Sequence, residues 1–226
     1  MTRPRSRHRD KLDWLRGFVE GASLLYVGSV DRNADNHRKH VALHGALAGH
    51  AASALGVYAS EAQAAELRGL GYDAVHADVE ALELGRVFDV IAAPDDIEHL
   101  SNAGGFLDGM RRHLRPDGWL LVTTPNPTGL VRILEQLVRG RTKANVEHTG
   151  WYTGQVLDQL GRRHGLRVVE EALIDDMHLY HRTATRPLGP GMRLATRSVV
   201  LVNRVACGLL PQLSETFGFG LRRRVD

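Results

Sequence analysis

The stretch FDVIAAPDDIEHL, Phe88 to Leu100, organises the reading of this chain. With Val87 before it, the run from Val87 to Ala93 is apolar except at Asp89, as expected of a strand buried on both faces. Such strands sit in parallel sheets covered by helices on each side. Downstream, a helix starting at Ser101 carries Phe106, Leu107, Met110 and Leu114 at helical spacing. Pro116-Asp-Gly118 supplies turn chemistry, and Trp119–Thr124 is the next strand.

The same alternation continues in both directions. Upstream, Lys11–Glu20 reads as a short helix, Ser23–Gly28 as the first strand, Asp35–Gly49 as a helix, Ser53–Ala59 as the second strand and Tyr72–His76 as the third. Between the last two, Ser60-Glu-Ala-Gln63 is a capping box opening a helix that Gly69 and Gly71 close. A further short helix is expected over Val79–Leu84, with Asp78 in position to cap it.

Beyond the rigid Pro125-Asn-Pro127 come a helix at Leu130–Arg139, a polar loop at 140–150, a helix at Thr153–His164 and a sixth strand at Leu166–Leu173. Thr216–Leu221 is the last strand. The expected fold class is α/β: a doubly wound, seven-stranded, mostly parallel sheet with an antiparallel last strand. The expected divisions are a basic arm and short helix at 1–20, a core at 21–173, a helical insertion at 174–213, and the last strand with a basic tail at 214–226.

Composition narrows the function classes. The formal charge of +3 is concentrated at the ends, residues 1–16 holding six Lys or Arg against two Asp, which leaves a mildly acidic body. A solvated terminus accounts for this, and without an aromatic-studded basic motif no nucleic-acid partner is expected. The single cysteine, Cys207, excludes an internal disulfide and a cysteine zinc site. No apolar h-region follows the N-terminal charges, and no apolar run approaches the roughly 20 residues of a membrane span, so a cytoplasmic location is expected.

In open α/β sheets ligands lie outside the carboxyl ends of the strands, which directs attention to 28–33, 58–60, 77–80, 93–99 and 124–128. At these positions the chain resembles the class I S-adenosylmethionine-dependent methyltransferases that modify small molecules and glycans. The resemblance is carried by Phe88–Leu100, the helix after it, and RPDGWLLVTTPNP, Arg115 to Pro127. That family writes these as a strand, an acidic turn ending in Glu-His-Leu, a helix, a Pro-Gly turn and a strand ending in Thr-Pro-Asn. His148-Thr-Gly-Trp-Tyr152 and Gly71–Asp78 add weaker likeness.

The resemblance implies S-adenosylmethionine as cofactor and transfer of its methyl group to an oxygen, or less readily a nitrogen, of a small molecule or sugar. It places the cofactor against Gly28, Ser29, Tyr58, Ala59, Asp78, Val79, Ala93 and Pro94. His99 is the implied base, with His148 and Tyr152 on a loop over the acceptor. Two positions depart from the family pattern: the glycine-rich turn reads Tyr26-Val-Gly-Ser-Val-Asp-Arg32, and the ribose-binding carboxylate is replaced by Tyr58. A protein of this fold with weakened cofactor binding, acting as a binding partner, is therefore the alternative reading.

Two histidine groups offer metal-ligand residue types, His37/His40/His44 and Asp175-Asp176 with His178 and His181. Neither has a compact metal signature, and no metal is expected. In the insertion, Arg193, Arg197 and Arg204 share a helical stripe beside apolar residues. That arrangement suits a lid, a homodimer face, a contact with an anionic membrane surface, or a helix packed on the sheet edge with its bases in water.

Overall fold

The computed structural model describes residues 5–28, 34–141, 145–175 and 201–224. Its strands are β1 (Arg5–His8), β2 (Ser23–Val27), β3 (Ser53–Tyr58), β4 (Ala74–His76), β5 (Phe88–Pro94), β6 (Leu114–Pro125), β7 (Leu166–Ile174) and β8 (Thr216–Arg223). Its helices are α1 (Lys11–Val19), α2 (Ala34–Ala48), α3 (Glu61–Gly69), α4 (Ala103–His113), α5 (Leu130–Arg139) and α6 (Gly154–Arg163). The strands form one sheet in the order β1-β7-β8-β6-β5-β2-β3-β4, in which β8 alone runs antiparallel to its neighbours.

Central placement explains the composition of β5. Lying between β2 and β6, it buries every residue but Asp89 almost completely. Asp89 is the exception because its carboxylate accepts the Ser23 backbone N–H at 2.9 Å, tying the starts of β2 and β5 together. The Ser23 bonds hold the Asp89 carboxyl below its ordinary pKa.

Helices cover both faces. Trp14, Leu15 and Val19 of α1, Leu47 of α2 and Ala64 and Leu67 of α3 pack one face, while Phe106, Leu107 and Met110 of α4 and Leu157 of α6 pack the other. At about 1.5–3 kcal/mol for each large apolar side chain withdrawn from water, these two layers are the main favourable term in the fold.

The strand count corrects the sequence expectation of seven. Arg5–His8, expected within a solvated basic arm, forms an eighth strand parallel to β7. Its arginines find partners that the local sequence does not reveal, Arg5 with Glu171 and Arg7 with Asp175. Running in the same direction as β7, it delivers the start of α1 to the carboxyl end of the sheet. The helix expected over Val79–Leu84 is a single 3-10 turn, Val79–Ala81, which Asp78 caps by accepting the Glu80 N–H at 2.9 Å. Most of the expected insertion, residues 176–200, lies outside the described residues; 201–209 are helical and Pro211–Leu213 is a 3-10 turn.

The histidines of α2 have a packing role. The Tyr26 hydroxyl meets His40 Nδ1 at 3.1 Å and the Tyr58 hydroxyl meets His44 Nδ1 at 2.9 Å. The Tyr26 and His44 rings stack at 4.8 Å, and His37 pairs with Glu66. Burial, the largest cause for each, lowers His40 and His44 to about 4, so both are neutral at physiological pH. Gly28 is part of the same packing: a Cβ there would lie 2.1 Å from the Tyr58 ring.

Two outcomes follow. A histidine whose folded pKa is depressed adds stability above the unfolded value near 6.5 and withdraws it as pH falls toward the folded value. Replacing His44 with Phe should therefore reduce the stability lost between pH ~7.5 and ~5 by about 2 kcal/mol relative to the native chain in urea unfolding, other titrating groups being common to both. An unchanged difference would contradict the neutral, buried assignment. Gly28→Ala should destabilise the fold by about 2 kcal/mol or more through overpacking against Tyr58, and Gly28→Ala combined with Tyr58→Leu should cost less than the sum of the single changes.

Candidate active site

The strand order reverses between β2 and β5, because the chain runs outward through β3 and β4 before returning to β5. In an open sheet such a switch point, at the carboxyl ends of β2 and β5, is where a ligand crevice is expected. The β5 side of this crevice turns at Asp95, whose φ of 56° is the positive value of a non-glycine residue. Such a conformation costs about 1–3 kcal/mol and persists where surrounding contacts enforce it. Here the Asp95 N–H donates to the Thr123 carbonyl at 3.0 Å, the Thr123 hydroxyl donates to its carboxylate at 2.9 Å, and Lys11 forms an ion pair with it.

Lys11 is placed by the start of α1 and is almost fully buried. A cation in the first turn of a helix opposes the helix dipole, and Asp95 offsets that cost. No local feature of the sequence near residue 11 announces this contact.

Past Asp95 the chain makes a 3-10 turn, Ile97–His99, on which a second loop docks. The Glu98 carbonyl accepts the Thr149 N–H at 2.7 Å, and the Thr149 hydroxyl donates to the Leu100 carbonyl at 2.6 Å. This docking brings the rings of His99 and His148 to 4.7 Å at nearly right angles. It also sets Trp151 beside His148, with the Arg132 guanidinium over the indole. Burial and the nearby Glu98 raise the pKa of the half-buried Tyr152 hydroxyl. The three residues expected at the acceptor side, His99, His148 and Tyr152, thus gather around Glu98.

Glu98 itself is 1 % exposed, and neither carboxylate oxygen makes a hydrogen bond of ordinary geometry, the Thr124 hydroxyl and the Glu98 N–H only partly offsetting its burial. Burial pushes its pKa up to about 8, the charge of Asp95 adding to the effect, so the group carries a proton at neutral pH. In the sequence Glu98 is one acid of the turn between β5 and α4, with no local sign of burial. Its burial depends on the docked loop, some 50 residues downstream.

The residues expected at the cofactor divide into two sets. Ala59, Asp78 and Val79 line one cavity of about 220 Å³ together with His76, Ala77, Glu80, His99 and Leu100. Gly28, Tyr58, Ala93 and Pro94 are buried and do not line it. Tyr58, expected at the ribose, has its hydroxyl on His44 instead, and its ring fills the space beside Gly28. Ser29 lies outside the described residues. A larger cavity of about 440 Å³, between Phe18, Asp89 and Trp119, includes the amino end of β5 and lies away from these groups.

The fit to S-adenosylmethionine is therefore uneven. At about 220 Å³ the cavity suits the purine end of the molecule, being smaller than the ~300–1,000 Å³ of pockets that enclose whole ligands. Val79 offers an apolar wall and Asp78 an acceptor for an amino group. On the ribose side, β3 ends in an inward-turned phenol, and Glu61, the nearest carboxylate in sequence, is paired with Arg68.

Comparison with known proteins identifies the family and the fold. Residues 28–171 match the family model described as a methyltransferase domain. A 64-residue stretch is 31% identical to the ubiquinone biosynthesis O-methyltransferase of Rickettsia prowazekii, covering 28% of this chain and 25% of that one. The match thus spans about a quarter of that relative's length. Among solved structures, a SAM-dependent methyltransferase from Archaeoglobus fulgidus superposes with a TM-score of 0.61 at 13% identity, covering 94% of this chain and 91% of that one. The [4+2]-cyclase SpnF does so at 0.62 with 17% identity, covering 95% and 80%. With a family match over more than half its length and the doubly wound sheet to carry it, the chain belongs to the class I methyltransferase-domain family, enzymes that use S-adenosylmethionine as cofactor.

Proposed function

We propose that this methyltransferase acts on an oxygen of a small molecule or sugar, with the acceptor lying against His99, His148 and Tyr152. The observation that carries the reading is the assembly of two imidazoles and a phenol around Glu98 on the rim of a purine-sized cavity. His99 belongs to both, lining the cavity and touching the acceptor-side cluster.

Within this reading Asp78, Val79, Ala59 and Leu100 hold the adenine end of the cofactor. S-adenosylmethionine supplies a methyl group already activated on a sulfonium sulfur. The chain's own task is alignment and removal of the acceptor's proton. An imidazole nitrogen can accept that proton, and the loop holding His148 and Trp151 shields the acceptor from water. The O-methyltransferase name of the Rickettsia relative agrees with an oxygen acceptor.

Further parts of the chain enter the proposal. Of the expected 174–213 insertion, 174–175 and 201–213 are among the described residues. Leu201, Val202, Val205 and Leu209 in its helical part are exposed, suiting a second copy or a membrane surface. Among the described residues no helix is long and apolar enough to cross a membrane; a cytoplasmic location is part of the proposal.

Tyr58 supports a second reading. With its hydroxyl engaged by His44 and no carboxylate at the end of β3, ribose recognition loses a charged hydrogen bond of about 1.5–3 kcal/mol. The alternative is thus a methyltransferase-fold protein with weak or lost cofactor binding that acts as a partner. The fold alone does not choose between them, since one structural neighbour is named a [4+2]-cyclase.

Calorimetry with S-adenosylmethionine and S-adenosylhomocysteine separates the two: saturable binding supports the enzyme reading, and no heat from either ligand at millimolar concentration supports the partner reading. Against a panel of hydroxylated acceptors followed by mass shift, His99→Asn should lower kcat by about a hundredfold or more while leaving cofactor affinity within about fivefold. Equal kcat in the two chains would remove His99 from the chemistry.

A further inference from the structure

Glu98, His99 and His148 bring one carboxylate oxygen and two imidazole nitrogens within 4.8 Å of one another. We propose that these three side chains form a binding site for a divalent transition-metal cation at the acceptor side of the crevice.

Two features of the cluster point to a ligand. Glu98 is 1 % exposed, with both oxygens buried and without a hydrogen bond of ordinary geometry, and His99 Nδ1 is likewise buried and lacks one. A buried polar atom without a partner costs about 1–3 kcal/mol, and a fold that keeps three of them together has a use for them. A cation at the centre would take one Glu98 oxygen, whose proton leaves to water, and one nitrogen from each histidine.

The donor set selects the kind of cation. Two nitrogens and one carboxylate oxygen suit Zn²⁺, Mn²⁺ or Fe²⁺, whereas Mg²⁺ and Ca²⁺ favour all-oxygen shells. Bonds of about 2.0–2.2 Å place tetrahedral ligand atoms roughly 3.4 Å apart, so the three atoms need to draw together by about 1.5 Å at most. His99 and His148 are only partly buried, and His148 sits on a loop, which leaves room for that adjustment. Of the neighbouring charges, Asp95 adds attraction for a cation, and Lys11 is already paired with Asp95.

Three protein ligands leave at least one coordination position open. An acceptor hydroxyl there loses its proton near neutral pH. The proton leaves to bulk water, the oxygen gains the methyl group and the sulfonium becomes the thioether of S-adenosylhomocysteine. His99 then acts as a ligand, and the acceptor oxygen is activated by the cation instead of a free imidazole. This role rests on the proposed methyl transfer to oxygen; cation binding does not.

The test is titration of the full chain, without cofactor, with Zn²⁺ or Mn²⁺ against a chromophoric chelator. One equivalent should bind at micromolar concentration, Glu98→Gln and His148→Asn should each weaken it at least about tenfold, and His50→Asn, on the surface beside Glu20, should leave it unchanged. Should either site variant fail to fold, the visible spectrum of the Co²⁺-loaded native chain reports nitrogen and oxygen ligation directly. Absence of binding at submillimolar metal, or binding indifferent to both variants, overturns the site. Metal binding without methyl transfer to any acceptor would leave the site standing and count against the proposed reaction.

Discussion

The corner at Asp95 is the constraint on which the candidate site depends. A left-handed residue at the end of the central strand is unfavourable in isolation. Thr123 of β6 and Lys11 of α1 hold it there, so that three segments far apart in sequence meet at one residue. From this corner the chain turns into Ile97–His99, burying Glu98 and presenting His99 at the rim. The eighth strand acquires a purpose in the same frame: by pairing with β7 it carries Lys11 to the carboxyl end of the sheet.

The second organising feature is the exchange of a ligand contact for an internal one. A glycine after the first core strand is expected to let a cofactor approach the backbone. Here Tyr58 takes that space and gives its hydroxyl to His44, within a face where Tyr26, His40 and His44 interlock. Gly28 is thus required by packing, and its presence does not by itself argue for a bound nucleoside. Asp78, Val79 and Leu100 line the nearby cavity that Tyr58 does not enter, and the proposed cofactor contacts are placed there.

Much of the fold was legible because it rests on local and periodic signals. The apolar run of β5 and the Ser60 cap each act over a few residues, and α5 falls at the expected Leu130–Arg139, whereas the turn expected at Pro116–Gly118 is an irregularity within β6, which already starts at Leu114. The N-terminal strand was not legible, since its partners Glu171 and Asp175 lie more than 160 residues away. The site divides in the same way. His99, His148 and Tyr152 were within reach because their segments resemble a known pattern, whereas Lys11 and the orphaned carboxyl of Glu98 depend on tertiary packing. Tyr58 marks the limit of reading by position: its place in the pattern suggests a ribose contact, while the histidines of α2 draw its hydroxyl inward.

The proposed function requires that the purine end of S-adenosylmethionine bind between Asp78, Val79 and Leu100 while Tyr58 remains bonded to His44. The most direct measurement is an NMR titration of the native chain with S-adenosylhomocysteine. The account predicts saturable shifts of the Val79, Glu80, His99 and Leu100 amides, with the Tyr58 and His44 ring signals unmoved. Shifts centred on Tyr58 and His44, or none at millimolar ligand, would contradict it.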